Sequence, residues 1–279
     1  MPHAHHGGLE SWEFPIALTV ALAFMALVYL CGWFRLRPTP SGSMASWRAG
    51  SFLLGLCSIW TAVGSPIAAF HHELLTVHMV QHLLLMTIAP PLIYLGEPFT
   101  ALLHGLPRRV DRATRTLFEL PSIHRFGTVV TQPAFCWLAA TATLIAWHVP
   151  AVLAFGMKSE AWYAIQHVSF LVTGLLFWWP VFLPWPSTSA GPNWSTVLYL
   201  FLATLPCDIL SGFLVFSERI AYPIYLSSLQ HSGLSVIEDQ QCAGAVMWTC
   251  VTVVYLVAGT ILATRLLSPR ADLNSLEVL

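Results

Sequence analysis

Long apolar runs repeat along the chain, and short polar segments containing proline, glycine and serine separate them. A helix that crosses the hydrocarbon core of a bilayer needs about 20 mainly apolar residues, each rising about 1.5 Å. The runs predict an all-α polytopic membrane protein in which residues 1–279 form a single domain. Its seven transmembrane helices are expected at about 14–34, 52–70, 74–95, 133–155, 161–183, 195–216 and 241–267.

The composition agrees with this pattern, because 56% of the residues are hydrophobic and only 9% are charged. A soluble domain usually carries about 25% charged residues. The net charge of -1 and the absence of a basic run give no indication of nucleic-acid binding. The six cysteines include no CxxC pair, so a disulfide framework is not expected. The N-terminal segment lacks the basic region of a cleaved signal peptide, and we expect the first apolar run to be retained.

The positions of Lys and Arg predict which side of the membrane each loop faces, since cytoplasmic loops are enriched in these residues. Ten of the 12 Lys and Arg residues lie in the loops after the first and third predicted spans and near the C-terminus. Only Lys158 and Arg219 lie on the opposite side. This bias predicts that the N-terminus is outside and the C-terminus inside the cytoplasmic membrane of a bacterium.

Four histidines inside the predicted spans all fall in the outer half of the membrane. His78 and His82 lie in the first turns of the third span, His148 near the outer end of the fourth, and His167 about two turns into the fifth. Buried polar groups in lipid are costly and tend to be functional. Their common depth predicts a ligand site built by three helices. The alternative is a set of neutral histidines, each hydrogen-bonded to neighbouring backbone or hydroxyl groups.

Helical geometry adds thioether groups to this set. At about 100° per residue, His78, His82 and Met86 form a stripe on one face of the third span, and Met79 lies beside it. Imidazole and thioether together suit a soft or borderline metal, with Cu(I) the best match. Hard ions such as Mg²⁺ prefer oxygen ligands. We therefore predict a copper site, with no catalytic residue, formed by His78, His82, His148, His167, Met79 and Met86.

Other polar residues are candidates for supporting this site. Asp239 lies where the seventh span enters the membrane from outside, and Met247 lies two turns deeper on the same face. The Asp239 carboxylate has three possible roles: to bind the metal, to orient a histidine or to cap a helix. Gln81 is a further candidate for orienting a ligand. Asp208, well inside the sixth span, is a candidate for handling protons.

Four motifs carry a resemblance to a known family. They are "HMVQHLLLMTIAPPLIYLGEP", "AWHVP", "QHVSFLVTGLLFWWPV" and "EDQQCAGAVMW", in this order. Together they resemble the CtaG family of assembly proteins for caa3-type cytochrome c oxidase, which have seven transmembrane helices. The similarity covers about residues 65–262. It implies a protein of the bacterial inner membrane that helps a haem–copper oxidase to mature by supplying or holding copper.

The resemblance also implies site residues. Carried onto this sequence, the polar positions of the family are His78, Gln81, His82, His148, His167, Asp239 and Gln240. Relatives often have another histidine one turn before His167, where this chain has Tyr163. If that position binds metal in relatives, this chain has one imidazole fewer or uses a donor such as His71 or His72. The residues expected to support or gate the site are thus Gln81, Tyr163, Asp239, Gln240 and Met247.

Three functions follow as alternatives. The first is an assembly factor, not an enzyme, that passes Cu(I) to a cytochrome c oxidase subunit or another copper chaperone. The second is a membrane haem protein with axial histidines on two helices. His78 and His82 are too close along one helix to bind the same iron, but either could pair with His148 or His167. The third is transport of copper or protons, which requires polar groups in the inner leaflet, where the predicted spans are mostly apolar.

Overall fold

The computed structural model describes residues 12–36, 45–107, 110, 116, 120–182, 194–227 and 233–268, and the regular elements within them are helices. Two are 3₁₀-helices, Pro66–His72 and Pro223–Ser227. The α-helices are α1 (Ile16–Leu36), α2 (Ser46–Gly64), α3 (Leu75–Leu95), α4 (Pro98–Gly105), α5 (Pro121–Val130), α6 (Pro133–His148), α7 (Pro150–Gly156), α8 (Glu160–Phe182), α9 (Trp194–Phe216) and α10 (Val236–Leu267).

Five of the described helices, α1, α3, α8, α9 and α10, are long and apolar enough to cross a membrane. Two bent pairs raise the number to seven if each pair is a single span: α2 with the first 3₁₀-helix, bent by 44°, and α5 with α6, bent by 61°. The predicted all-helical membrane architecture is therefore confirmed, with five to seven candidate spans among the described residues. The orientation of the termini stays a prediction.

Proline sets two helix ends that hydrophobicity did not indicate. The residue before a proline is disfavoured in the helical conformation. Ser65 (φ -77°, ψ 158°) precedes Pro66, and α2 accordingly ends at Gly64. Val149 (φ -67°, ψ 122°) likewise separates α6 from α7. The apolar runs predicted at 52–70 and 133–155 are consequently each divided between two helical elements.

α3 is the most buried of the candidate spans. In its most apolar stretch 56% of the residues are buried, against 17% in α1. It packs against α2, α8 and α10. A helix surrounded in this way presents most of its side chains to protein rather than to lipid, so polar side chains on α3 can be enclosed.

The middle of α3, Leu84–Ile88, forms a π-helical turn. Pro90 and Pro91 follow after Ala89, and neither has a backbone N–H to donate to the preceding turn. The indole Nε1 of Trp178, on α8, donates to the carbonyl oxygen of Met86 at 3.2 Å. A distant side chain therefore supplies a hydrogen-bond donor that the helix itself lacks at this point.

α3 and α8 approach each other closely at Gly174. A Cβ atom added to Gly174 would lie 2.7 Å from the Cα of Met86 and 2.9 Å from its carbonyl oxygen. Small residues allow such close backbone contact between membrane helices. The contact keeps Trp178, one turn later in α8, within reach of the π-helical turn.

Gly174→Ala should destabilise the protein by about 1–3 kcal/mol, because the added methyl group overlaps the backbone of α3. Thermal unfolding in detergent measures the change. Gly212→Ala on α9 is the matched control, since a Cβ there meets nothing within 4 Å. Equal stability of the two variants would contradict the close packing of α3 on α8.

Candidate functional site

Three buried side chains from α3 and α6 converge on one point. The Nε2 of His82 lies 2.9 Å from the sulfur of Met79, and the Nε2 of His148 lies 3.4 Å from the same sulfur. The two imidazole rings are 5.1 Å apart and nearly perpendicular, at 87°. The exposed fractions are 2% for His82, 0% for Met79 and 7% for His148. One thioether thus lies between two imidazole nitrogens in an enclosed space.

The other ring nitrogen of His148 determines which atom faces this group. Nδ1 lies 2.7 Å from the carbonyl oxygen of Leu144, one turn earlier in α6. Since a carbonyl only accepts, Nδ1 carries the proton and Nε2 presents a lone pair towards Met79. A hydrogen bond of this kind fixes the tautomer and orientation of metal-binding histidines. His148 therefore has the arrangement of a ligand even though its surroundings are mostly apolar.

His78 and His167 have partners of their own. The ring of His78 is 6.2 Å from that of His82, and its Nε2 lies 3.4 Å from the amide nitrogen of Gln166. Nδ1 of His167 lies 2.8 Å from the carbonyl oxygen of Tyr163. Across the described residues, no three His, Cys, Asp or Glu side chains are arranged to hold one metal ion. The structure therefore brings two of the four predicted histidines together around a methionine, and the roles of His78 and His167 stay predictions.

Met86, the third residue of the predicted stripe, lies within the π-helical turn at Leu84–Ile88. Met79, predicted beside the stripe, is the sulfur that contacts both imidazoles. Met86 and the fully buried Met247 instead border a small cavity next to His82.

Asp239 caps α3 instead of its own helix. Its Oδ2 accepts the backbone N–H of Leu75 at 2.7 Å, and its Oδ1 accepts that of Thr76 at 3.2 Å. The first N–H groups of a helix have no partner within the helix, and the residue preceding Leu75 provides no capping side chain. The carboxylate thus joins α10 to the start of α3, three residues before His78.

Gln240, beside Asp239, holds the segment that follows α9. Its Oε1 accepts the backbone N–H of Ala221 at 2.7 Å, and its Nε2 donates to the carbonyl oxygen of Arg219 at 3.2 Å. Just beyond, the hydroxyl of Tyr222 donates to the carbonyl oxygen of His148 at 3.0 Å. Gln240 therefore acts on the candidate site through the backbone, at the point where α6 ends.

Tyr163 is the centre of a second polar group, at the position where the resemblance indicated a missing histidine. Gln81 donates through Nε2 to the Tyr163 hydroxyl at 2.7 Å and to the carbonyl oxygen of Ala62 at 2.8 Å. The Tyr163 ring packs against the rings of His71, at 4.2 Å, and His167, at 4.0 Å. Tyr163 thus connects the half-buried His71 to the buried histidines.

Gln166 is a buried residue that the sequence analysis missed. It is completely enclosed and lies beside His78, and its Oε1 has no hydrogen-bond partner. Nδ1 of His78 and Oε1 of Gln81 also have none. The available signal was its position next to His167 in the "QHVSF" stretch. Buried polar atoms usually have a hydrogen-bond partner. Three atoms without one, on neighbouring side chains, therefore distinguish this region.

Comparison with known proteins gives two kinds of match. The family model described as cytochrome c oxidase caa3 assembly factor matches residues 27–268. The chain is 26% identical over 251 residues to uncharacterized proteins of Mycobacterium bovis and Mycobacterium tuberculosis, covering 86% of this chain and 37% of each relative. It is 22% identical over 259 residues to an uncharacterized protein of Mycobacterium leprae, covering 85% and 37%. The chain thus spans little more than a third of the length of these relatives. No solved structure matches it.

Asp239→Ala should lower the free energy of unfolding by about 2 kcal/mol, because the buried N–H of Leu75 and the half-buried N–H of Thr76 lose their acceptor. Amide hydrogen exchange at Leu75 and Thr76 should become faster, and thermal unfolding in detergent should report the loss of stability. Glu238→Ala is the control, since Glu238 is exposed and caps only α10, together with Ser235. Unchanged exchange at both amides would refute the link between α10 and α3.

Proposed function

The chain belongs to the cytochrome c oxidase caa3 assembly factor family, and from this premise we propose that it binds Cu(I) and supplies it to an oxidase under assembly. The family supports the role in assembly. The observation that supports copper is the approach of two imidazole nitrogens, from His82 and His148, to the sulfur of Met79. Binding and release of an ion require no covalent chemistry, so the proposed activity is not enzymatic.

The donor set fits this metal. Thioether and imidazole groups favour Cu(I), whereas hard cations need oxygen ligands. Asp239, the nearest carboxylate on α10 to the start of α3, already accepts two backbone N–H groups and is not free to bind an ion. The tautomer of His148 leaves Nε2 available as a ligand. When bound, copper would be held by His82, His148 and Met79, in a space enclosed from water.

We propose three further ligands: His78, His167 and Met86. They bind the ion before it reaches the group around Met79 or after it leaves that group. The second polar group offers a way in, because Tyr163 connects half-buried His71 to His167. Nδ1 of His71 lies 2.6 Å from the carbonyl oxygen of Ala68, which leaves its Nε2 as a lone-pair donor. A metal ion arriving at this end of the bundle would thus meet imidazole nitrogens before it reaches Met79.

The side of the membrane follows from the distribution of Lys and Arg. We propose that His71 faces the outside of the cytoplasmic membrane, so that the site takes copper from the periplasmic side. In this orientation Lys158 is outside and Arg125 inside.

Labelling of intact cells by a membrane-impermeant thiol reagent tests this orientation. In a cysteine-free background, Lys158→Cys should react and Arg125→Cys should react only after the membrane is opened. Both positions are exposed: Lys158 lies between α7 and α8, and Arg125 lies within α5. The reverse pattern would place the candidate site on the cytoplasmic side.

Met79→Leu and His148→Ala should each weaken Cu(I) binding at least about tenfold, because each removes one of three donors. Competition with a coloured Cu(I) chelator on purified protein in detergent measures the affinity. Met79→Leu preserves side-chain volume, so its effect reports the sulfur rather than packing. His104→Ala is the control, since His104 lies on α4 and bonds the carbonyl oxygen of Thr100.

Two results would count against the copper site. Retention of both the affinity and the number of bound Cu(I) equivalents of the wild type in the combined Met79→Leu and His148→Ala variant would remove these ligands from the proposal. A Soret band in protein purified without added metal would instead support haem binding by the same histidines.

A further inference from the structure

A cavity of about 30 Å³ lies beside His82, between α3, α6, α8, α9 and α10. Protein interiors are close-packed, and voids large enough for even a water molecule are few. Three of the side chains that line this one carry sulfur: Met86, Cys207 and Met247. All three are buried, and each comes from a different helix. Sulfur-bearing residues from three helices therefore line one atom-sized space.

The rest of the lining defines which ligand suits this space. No lining residue has a carboxylate or a cationic group, and most are apolar. The oxygen atoms that border it belong to Thr87, Thr141 and Tyr255 as side chains, too few to satisfy a hard cation with six to eight oxygen ligands. Two thioethers, a thiol and a neighbouring imidazole instead form a set of soft donors.

We infer that Met86, Cys207 and Met247 form a second Cu(I) site, deeper in the bundle than the group around Met79. His82 adjoins both sites: its Nε2 faces Met79, and it lines the cavity. A neutral imidazole has one lone pair, so His82 binds the ion of the first site while the three sulfur atoms hold that of the second. The inference rests on the proposed function, because a chain that binds no copper has neither site. It adds to that function a place where the ion is held after it passes His82.

The balance of charge between the copper cation and a thiolate favours this second site in the membrane interior. Binding replaces the thiol proton of Cys207: one S–H bond breaks, one S–Cu(I) bond forms, and one proton is released. The copper cation and the thiolate then neutralise each other, which avoids the cost of a buried net charge. The Oγ of Ser211, fully buried one turn later in α9, lies 3.8 Å from the sulfur of Cys207 and can donate to the thiolate.

The cavity is also close to the side of the bundle. Thr141 and Pro206 line it on one side and line a wide groove between α6 and α9 on the other. Pro206 lies within α9 and has no N–H to donate, so the helix lacks one backbone hydrogen bond next to Cys207. A copper ion in this cavity is thus one layer of side chains away from the groove.

Anaerobic Cu(I) titration of the purified full chain tests the second site. The wild type should bind two equivalents and release about one proton per chain. The combined Cys207→Ser and Met247→Leu variant should bind one equivalent and release none. Its control, Cys136→Ser with Met157→Leu, changes a cysteine and a methionine that do not line the cavity, and it should behave as the wild type.

Variants of the first group distinguish the two proposals. With Met79→Leu and His148→Ala combined, one equivalent should remain, and X-ray absorption at the copper edge should show mainly sulfur neighbours. A wild type that binds one equivalent, insensitive to Cys207→Ser, overturns the second site and leaves the first. Absence of any binding overturns both. Should the double variant fail to fold, Cys207→Ser alone, nearly equal in volume, must still abolish proton release, and full release from it refutes the inference.

Discussion

The carboxylate of Asp239 fixes the start of α3, and the candidate site depends on this contact. The first N–H groups of a helix have no partner within the helix, and Leu75, at the start of α3, is buried in protein. Leu75 and Thr76 donate theirs to Asp239, which belongs to α10. His78, Met79 and His82 follow within two turns, so their positions relative to α10 are set by this one side chain. The same two hydrogen bonds thus satisfy the backbone of α3 and fix the positions of its imidazole and thioether side chains.

A second anchor holds α3 below the donors. Gly174 brings α8 against the backbone at Met86, and the indole of Trp178 satisfies the Met86 carbonyl. The segment that carries His82 is therefore fixed at both ends by other helices. Weak neutral donors bind a metal well only when their geometry is set in advance, and two anchors on one short stretch provide that rigidity.

The fold class could be predicted, because apolar runs of spanning length have few alternatives to helices in lipid. The contact of Met79 with both imidazoles could not, since one of them, His148, lies on another helix and 69 residues away. The role of Asp239 was equally hidden, because its partner at Leu75 is 164 residues distant. Gln166 was missed because a lone amide has no characteristic spacing.

The π-helical turn also gives α3 one place where its length can change. Such a turn holds one residue more than a regular helix needs, so removing a single residue between Leu84 and Ile88 would restore regular winding. Everything beyond would then keep its direction relative to the histidine-bearing part, whereas a deletion elsewhere in α3 would rotate it by about 100°. Tyr94, whose hydroxyl donates to the carbonyl oxygen of Leu175 on α8, would stay beside its acceptor only in the first case. Single-residue gaps among homologous chains should therefore fall in this stretch rather than elsewhere in α3, and a gap placed outside it would pair side chains that face different helices.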